Sequence, residues 1–559
     1  MRTKFLLVAA LASLLLGNAA IASEPTPAYS PAHIDYPGSQ VVYHIAETFP
    51  HLKSDLGYGA IPRSSSTDNG GTDGGRQVGC TGMADPDCDP ETQNFPSPLS
   101  GQVLLPACQN EKSENCVSEI WISDSMGKLV KAKFLREIGG YTIPGDSKRD
   151  FVEGRSASIW TVEGVPHTGG VDTYLVAPRL ELEYKALQKK FVQQKITVSV
   201  IPFVAKKGEY TSDRWLTPEE WQNRITREPQ WIGYEPRFIP KILQGGPKPG
   251  ADRDKSCFFY DENICGIQYD FIPDTRIKFS VRTSNQLGGW FRGRIENPVI
   301  NVEKISNTMN LLTIEGTSMK VPRMVHLVPW HSFTGQEEKD FIKYFWGGAL
   351  PGDLLAGPNS DSGDRVFEFV NSFRDRVKDT VSGYTTMWNF STVSAGGGSS
   401  CLTDTTKVLG VVTTNSMGYE GSAPGFVDGS LDYRVAGLHF APDGKTEVKG
   451  TYDLIMRSET ARCLYGFTNA PISATISVTS DSGENSIATT QVSEENGWLK
   501  LGAYNFTFSN PTVKVKLAQA KAASPVVAQK KKSITCVKGK IVKKVAGVNP
   551  KCPTGFRKR

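Results

Sequence analysis

"RLELEYK", residues 179–185, decides the fold class. Leu180, Leu182 and Tyr184 fall on one side of an extended chain, and Arg179, Glu181, Glu183 and Lys185 on the other. Side chains alternate across a strand with a period of two, so this pattern makes a ribbon with one apolar and one polar face. "RIKFSVRT" at 276–283 repeats it with Ile277, Phe279 and Val281, and "ITVSVIPFV" at 196–204 with Ile196, Val198 and Val200. Further along, "ATISVTS" alternates Ala474, Ile476 and Val478, and "PTVKVKL" alternates Val513, Val515 and Leu517. Pro442-Asp443-Gly444 and Asp481-Ser482-Gly483 supply hairpin turns. A period of two, rich in β-branched residues and punctuated by turns, predicts antiparallel sheets packed as sandwiches rather than a parallel α/β core.

Two segments break the period. Thr217-Pro218-Glu219-Glu220 has the cap, first-turn proline and acidic residue of a helix start, and Pro229 stops that helix. Val366, Phe367, Val370, Phe373, Val377 and Val381 recur at three- and four-residue steps, which predicts an amphipathic helix from near Asp361 or Ser362 to just before Gly383. The chain of 559 residues exceeds what one core organises, and two to four domains are expected. The sequence divides as follows: a leader at 1–22, a Pro/Gly/Ser-rich region at 23–100, a β-rich domain with one short helix at 101–334, and a helical connector at 335–384. A β-sandwich at 385–519 and a linker with a basic tail at 520–559 complete it. The expected fold is mainly β: two antiparallel β-sandwich domains, a helical connecting segment and a small disulfide-stapled tail.

The leader reads as a secretory signal peptide. Arg2 and Lys4 precede an apolar run from Phe5 to Leu16, and Ala20-Ile21-Ala22 is a small-residue cleavage site. Ten cysteines suit an oxidising compartment. Cys80 and Cys88, Cys108 and Cys116, and Cys257 and Cys265 are each eight apart; Cys401 with Cys463 and Cys536 with Cys552 complete five sequential pairs. Spacing alone does not fix connectivity, but pairing in sequence closes the shortest loops. A metal site would call for C-x-x-C spacing and neighbouring histidines; the chain has no such spacing and seven His, so neither a metal nor another cofactor is expected.

Charge is distributed unevenly. The last thirty residues hold Lys530, Lys531, Lys532, Lys538, Lys540, Lys543, Lys544, Lys551, Arg557, Lys558 and Arg559, with no Asp or Glu. The net charge of +5 therefore conceals an acidic body and a basic tail, a pattern that points to attachment at a polyanionic surface. The tail lacks the aromatic interleaving of single-strand nucleic-acid binders, so nucleic acid is not an expected partner. An anionic cell-wall polymer or a membrane surface is expected, and the location is extracellular and envelope-associated. The segments "ITCVKGK" and "NPKCP" of the tail, with "YDLIMRSETARCLYGFTNAPISATISV" before them, resemble the ends of a group of uncharacterised secreted proteins from actinobacteria. The resemblance covers residues 401–559 and implies an envelope location; it implies no catalytic residue.

Enzyme motifs are sparse, and the sequence leans away from catalysis. It has no G-x-S-x-G, H-E-x-x-H or Walker A segment. Ser125-Met126-Gly127-Lys128 matches S-x-x-K but falls between two strand patterns and reads as a turn. His326 and His331, five apart, project to opposite faces of a strand and read as structural. Asp85, Asp87 and Asp89 open like a calcium loop, yet Pro90 occupies the turn-glycine position. The other notable feature is aromatic clustering. Trp215, Trp221 and Trp231 lie close together, and Trp290 sits beside Arg292 and Arg294. Such rings stack on sugars when exposed and pack a core when buried, so a carbohydrate-binding or carbohydrate-active protein is the alternative expectation, with glycans as partners.

Overall fold

The computed structural model describes residues 40–44, 61–62, 99–138, 142, 144–207, 259–261, 264–284, 287–329, 355–356, 358–479, 485–486, 488–508, 511–519 and 532–559. The chain is mainly β. Thr173–Lys185 and Lys190–Lys207 form one long antiparallel hairpin, with Leu180 opposite Ile196. Leu180, Leu182 and Tyr184 are buried, as are Ile196, Val198 and Val200, so the alternation that the sequence displays is the alternation that packs. Arg276–Thr283 lies antiparallel to both Cys116–Ser123 and Asn310–Arg323, with Ile277, Phe279 and Val281 in the same core.

The strand pairing runs across the expected domain boundary near residue 385. Gly383–Val393 pairs antiparallel with Lys190–Lys207, Gly289–Lys304 and Asn310–Arg323. Gly289–Lys304 also pairs parallel with Val408–Thr414, and the sheet continues through Gly450–Arg457 to Trp498–Phe506. One long strand makes this continuity possible. Gly289–Lys304 has a register shift between Glu296 and Val299; its first half serves the strands after residue 383, and its second half pairs with Asn310–Arg323. A bulge of this kind bends a strand and redirects its edge.

The continued sheet is buried on both faces. Val411 and Ile455 join Phe279, Trp388 and Phe390 in one core, whereas Val412, Leu454 and Met456 enter a second core. Two-sided burial explains why "VLGVVTT" reads as a continuous apolar run rather than as an alternation. The second core is closed by Ser430–Ala436, Thr512–Gln519 and Ile472–Thr479, paired antiparallel in that order.

Two α-helices occur among the described residues. Asp364–Phe373 buries Val366, Phe369, Val370 and Phe373 on one stripe. It is shorter than expected because Lys378 and Asp379 adopt φ of +54° and +52°, which no α-helix accommodates. Val377 and Val381 remain buried but pack from outside the helix. Ser458–Tyr465 was not foreseen; it lies within a stretch read as β and ends at Gly466, whose φ is +64°. The Cys401–Cys463 disulfide joins it to the short Ser400–Leu402 turn. No helix among the described residues is long and apolar enough to cross a membrane.

Cys108–Cys116, Cys401–Cys463 and Cys536–Cys552 are bonded in the expected pairs. Cys265 is disulfide-bonded. Its expected partner Cys257, the Cys80–Cys88 pair, the signal peptide, most of the 23–100 region and the helix expected at 217–229 lie outside the described residues.

Candidate functional site

The basic tail folds as a three-stranded antiparallel sheet. Lys532–Lys538 and Ile541–Gly547 form a hairpin, and Arg557–Lys558 adds to its outer edge. Lys538 faces Ile541 across a two-residue turn in which Gly539 takes φ of +58°, a conformation that suits glycine. So small a sheet has little core of its own; Cys536, fully buried, is tied to Cys552 and holds the intervening chain against it. Lys532, Lys538, Lys540, Lys543, Lys544, Lys551, Arg557, Lys558 and Arg559 are all exposed, and none has a carboxylate partner among the described residues. Lys530 and Lys531 lie outside them. The register places Lys532, Lys538, Lys543 and Lys558 on one face, and Lys544 and Arg557 on the other. Ile541 and Val542, at the tip, are 62% and 58% exposed.

A second cluster gathers at the bulge of Gly289–Lys304. Asn297 takes φ of +50° there, and its backbone N–H donates to Asp453 Oδ2 at 3.4 Å. Asp453 is buried on Gly450–Arg457, and the Tyr504 hydroxyl donates to its Oδ1. Burial raises the Glu296 carboxyl to about 7, helped by the negative charges of Asp453 and Asp274. Burial likewise raises Asp453, against the opposing hydrogen bonds from Tyr504 and Asn297. Two neighbouring carboxyls with raised proton affinity and a phenol bonded to one of them form an arrangement able to hold and pass a proton.

A third cluster joins the turn after Asp364–Phe373 to the segment around residue 439. The imidazole Nδ1 and backbone N–H of His439 both contact Asp379, and Arg374 Nη1 donates to Asp379 Oδ1 at 2.7 Å. Burial would raise the Asp379 carboxyl, but the bonds from His439 and the Arg374 charge outweigh it and hold it below the usual range. Arg374 Nη2 also donates to Gly437 O at 3.0 Å, so the cluster pins two loops together.

The glycan-stacking expectation for Trp290 is overturned. Its ring is 1% exposed, its indole N–H donates to Leu402 O at 2.9 Å, and Gly410 lies directly beneath it. A Cβ at residue 410 would come within 2.5 Å of Cζ3. Trp290 fills a core between strands buried on both faces and presents no face to a sugar. Its neighbours are buried with it: Arg292 pairs with Asp361, and Arg294 Nη1 donates to Thr414 O at 2.5 Å. Both guanidinium groups lie over the Tyr419 ring, at 5.4 and 4.5 Å. Trp215, Trp221, Trp231, His331 and the Asp85–Asp87–Asp89 run lie outside the described residues, and His326 lies on the Val325–Pro329 strand. Ser125 is exposed in the turn between Cys116–Ser123 and Leu129–Lys131, where Asp124 Oδ1 accepts from the Met126 and Lys128 N–H groups.

Sequence reasoning missed Glu296, Asp453 and Tyr504, and also Asp379 with His439. Glu296 and Asp453 are 157 positions apart, and only strand pairing unites them; Asn297-Pro298 within a strand pattern was the one local signal of a bulge. Comparison with protein-family models, curated proteins and solved structures finds no match to this chain.

Proposed function

We propose that this is an exported, non-catalytic, β-rich protein of the cell envelope, held at an anionic surface by its basic tail. The observation that carries the reading is the set of nine exposed cations on a disulfide-stapled unit, none paired with an Asp or Glu among the described residues. Each such cation contributes roughly 1 kcal/mol beside an anionic surface, and the staple keeps them together. Disulfides in three parts of the chain agree with an oxidising compartment. In this reading the body is two sandwiches that share the strands Val408–Thr414 and Gly450–Arg457, and the tail is a separate unit beyond the linker. The resemblance of residues 401–559 to secreted actinobacterial proteins fits the same placement.

The test is fractionation across a salt series. The intact protein should leave cells as ionic strength rises, because screening shortens the reach of exposed charges. A chain truncated after Gln529 should collect in the medium even at low salt. Retention of the truncated chain at low salt would rule out the tail as the anchor.

One observation favours a second reading, a carbohydrate-active protein. Glycoside hydrolysis uses two carboxyls, one of them with raised proton affinity, and Glu296, raised to about 7, lies close enough to Asp453 to feel its charge. A glycan-hydrolysis screen with wild type and Glu296→Gln decides it: turnover abolished by the substitution would favour an enzyme.

A further inference from the structure

The tail carries more than charge, and its apolar part narrows the surface it fits. We infer that the hairpin tip is a lipid-interface anchor in which Ile541 and Val542 enter an anionic bilayer while the surrounding lysines engage headgroup phosphates; this rests on the surface-retention reading above. Ile541 and Val542 follow the Gly539-Lys540 turn directly, and both are more than half exposed. Register puts Ile541 on the face of Lys538 and Lys543, and Val542 on the face of Lys544 and Arg557. The tip is therefore apolar on both faces, with Lys538, Lys540, Lys543 and Lys544 flanking it on all sides. A hydrophilic polyanion, such as a wall polymer, would satisfy the lysines and leave both aliphatic side chains in water. A bilayer of anionic lipid satisfies both: phosphates meet the ammonium groups, and the acyl boundary takes the aliphatic carbons. Lysine stems are long enough to lie along the apolar layer while their charges stay at phosphate level, which accommodates Lys540 at the turn. The backbone is prepared for this role as well. The hairpin is paired along its whole length and tied by Cys536–Cys552, so docking orders little that is not already ordered.

The experiment uses the full chain and three probes: phosphatidylglycerol vesicles, phosphatidylcholine vesicles and soluble polyglutamate. The variants are Ile541→Ser/Val542→Ser and Lys543→Glu/Lys544→Glu. The wild type should sediment with phosphatidylglycerol vesicles and not with phosphatidylcholine, and should bind polyglutamate. The aliphatic variant should keep its polyglutamate affinity and lose about tenfold in affinity for phosphatidylglycerol vesicles; the charge variant should weaken on both anionic probes. Equal vesicle binding by wild type and aliphatic variant overturns the insertion, as does a wild type that binds polyglutamate but no vesicle. Both of those results leave electrostatic retention standing. A wild type that binds none of the probes removes the retention reading and this inference together.

Discussion

Arg292 and Arg294 in the body and the nine described cations of the tail are the same chemistry under opposite conditions. The body arginines are 5% and 0% exposed, and their neighbourhood supplies compensation: the Asp361 carboxylate, the Thr414 carbonyl and the Tyr419 ring. The tail cations are in water, without a carboxylate partner among the described residues. Charge in an interior must be neutralised by the fold that buries it, because leaving one partner alone costs several kcal/mol. Charge on a surface is free to be neutralised by something else. Body arginines therefore report on how the chain holds itself together, and tail lysines on what it meets.

Three measurements bear on that contrast, and the first carries the largest effect. Asp361→Asn leaves the Arg292 guanidinium buried without its carboxylate, and the expected loss is about 3–5 kcal/mol of unfolding free energy, read by chemical denaturation. A loss under about 1 kcal/mol would mean that the pair is incidental.

Glu296 gives an intermediate effect through pH. Its carboxyl titrates near 7 in the folded chain and near 4.5 in an unfolded one, so the folded state holds the extra proton between those values. Stability from this group is complete below about 4.5 and is lost as pH rises through about 7. Relative to Glu296→Gln, the wild type should therefore lose thermal stability steadily over that window. Parallel curves for the two proteins would show that the carboxyl is ordinarily hydrated.

The smallest effect belongs to the tail. Lys543→Ser/Lys544→Ser should change unfolding free energy by no more than about 0.5 kcal/mol while weakening attachment to anionic surfaces. A substantial loss of stability would place these lysines in the body's category and undo the contrast.

The strands were legible because each reports its own burial. Leu180, Leu182 and Tyr184, or Val513, Val515 and Leu517, face a core in the positions that local alternation assigns them. What the sequence left hidden was partnership over long separations. For Trp290, Arg292 and Arg294 the sequence left sugar stacking and core packing both open, because the elements that bury them arrive much later: Asp361, Gly410 and Tyr419. The carboxylate cluster was hidden for the same reason. The Ser458–Tyr465 helix is different, since Glu459 in its first turn, Arg462 in its last and Gly466 after it were available as local signals. The disulfides were legible because sequential pairing of near neighbours was enough.

The Gly383–Val393 strand also constrains the order in which the molecule becomes whole. It sits between Lys190–Lys207 and Gly289–Lys304, both of which leave the ribosome long before it does. Until it arrives, those two strands carry bare backbone edges, the kind of template on which chains aggregate. Synthesis that halts just short of residue 383 should yield an insoluble fragment.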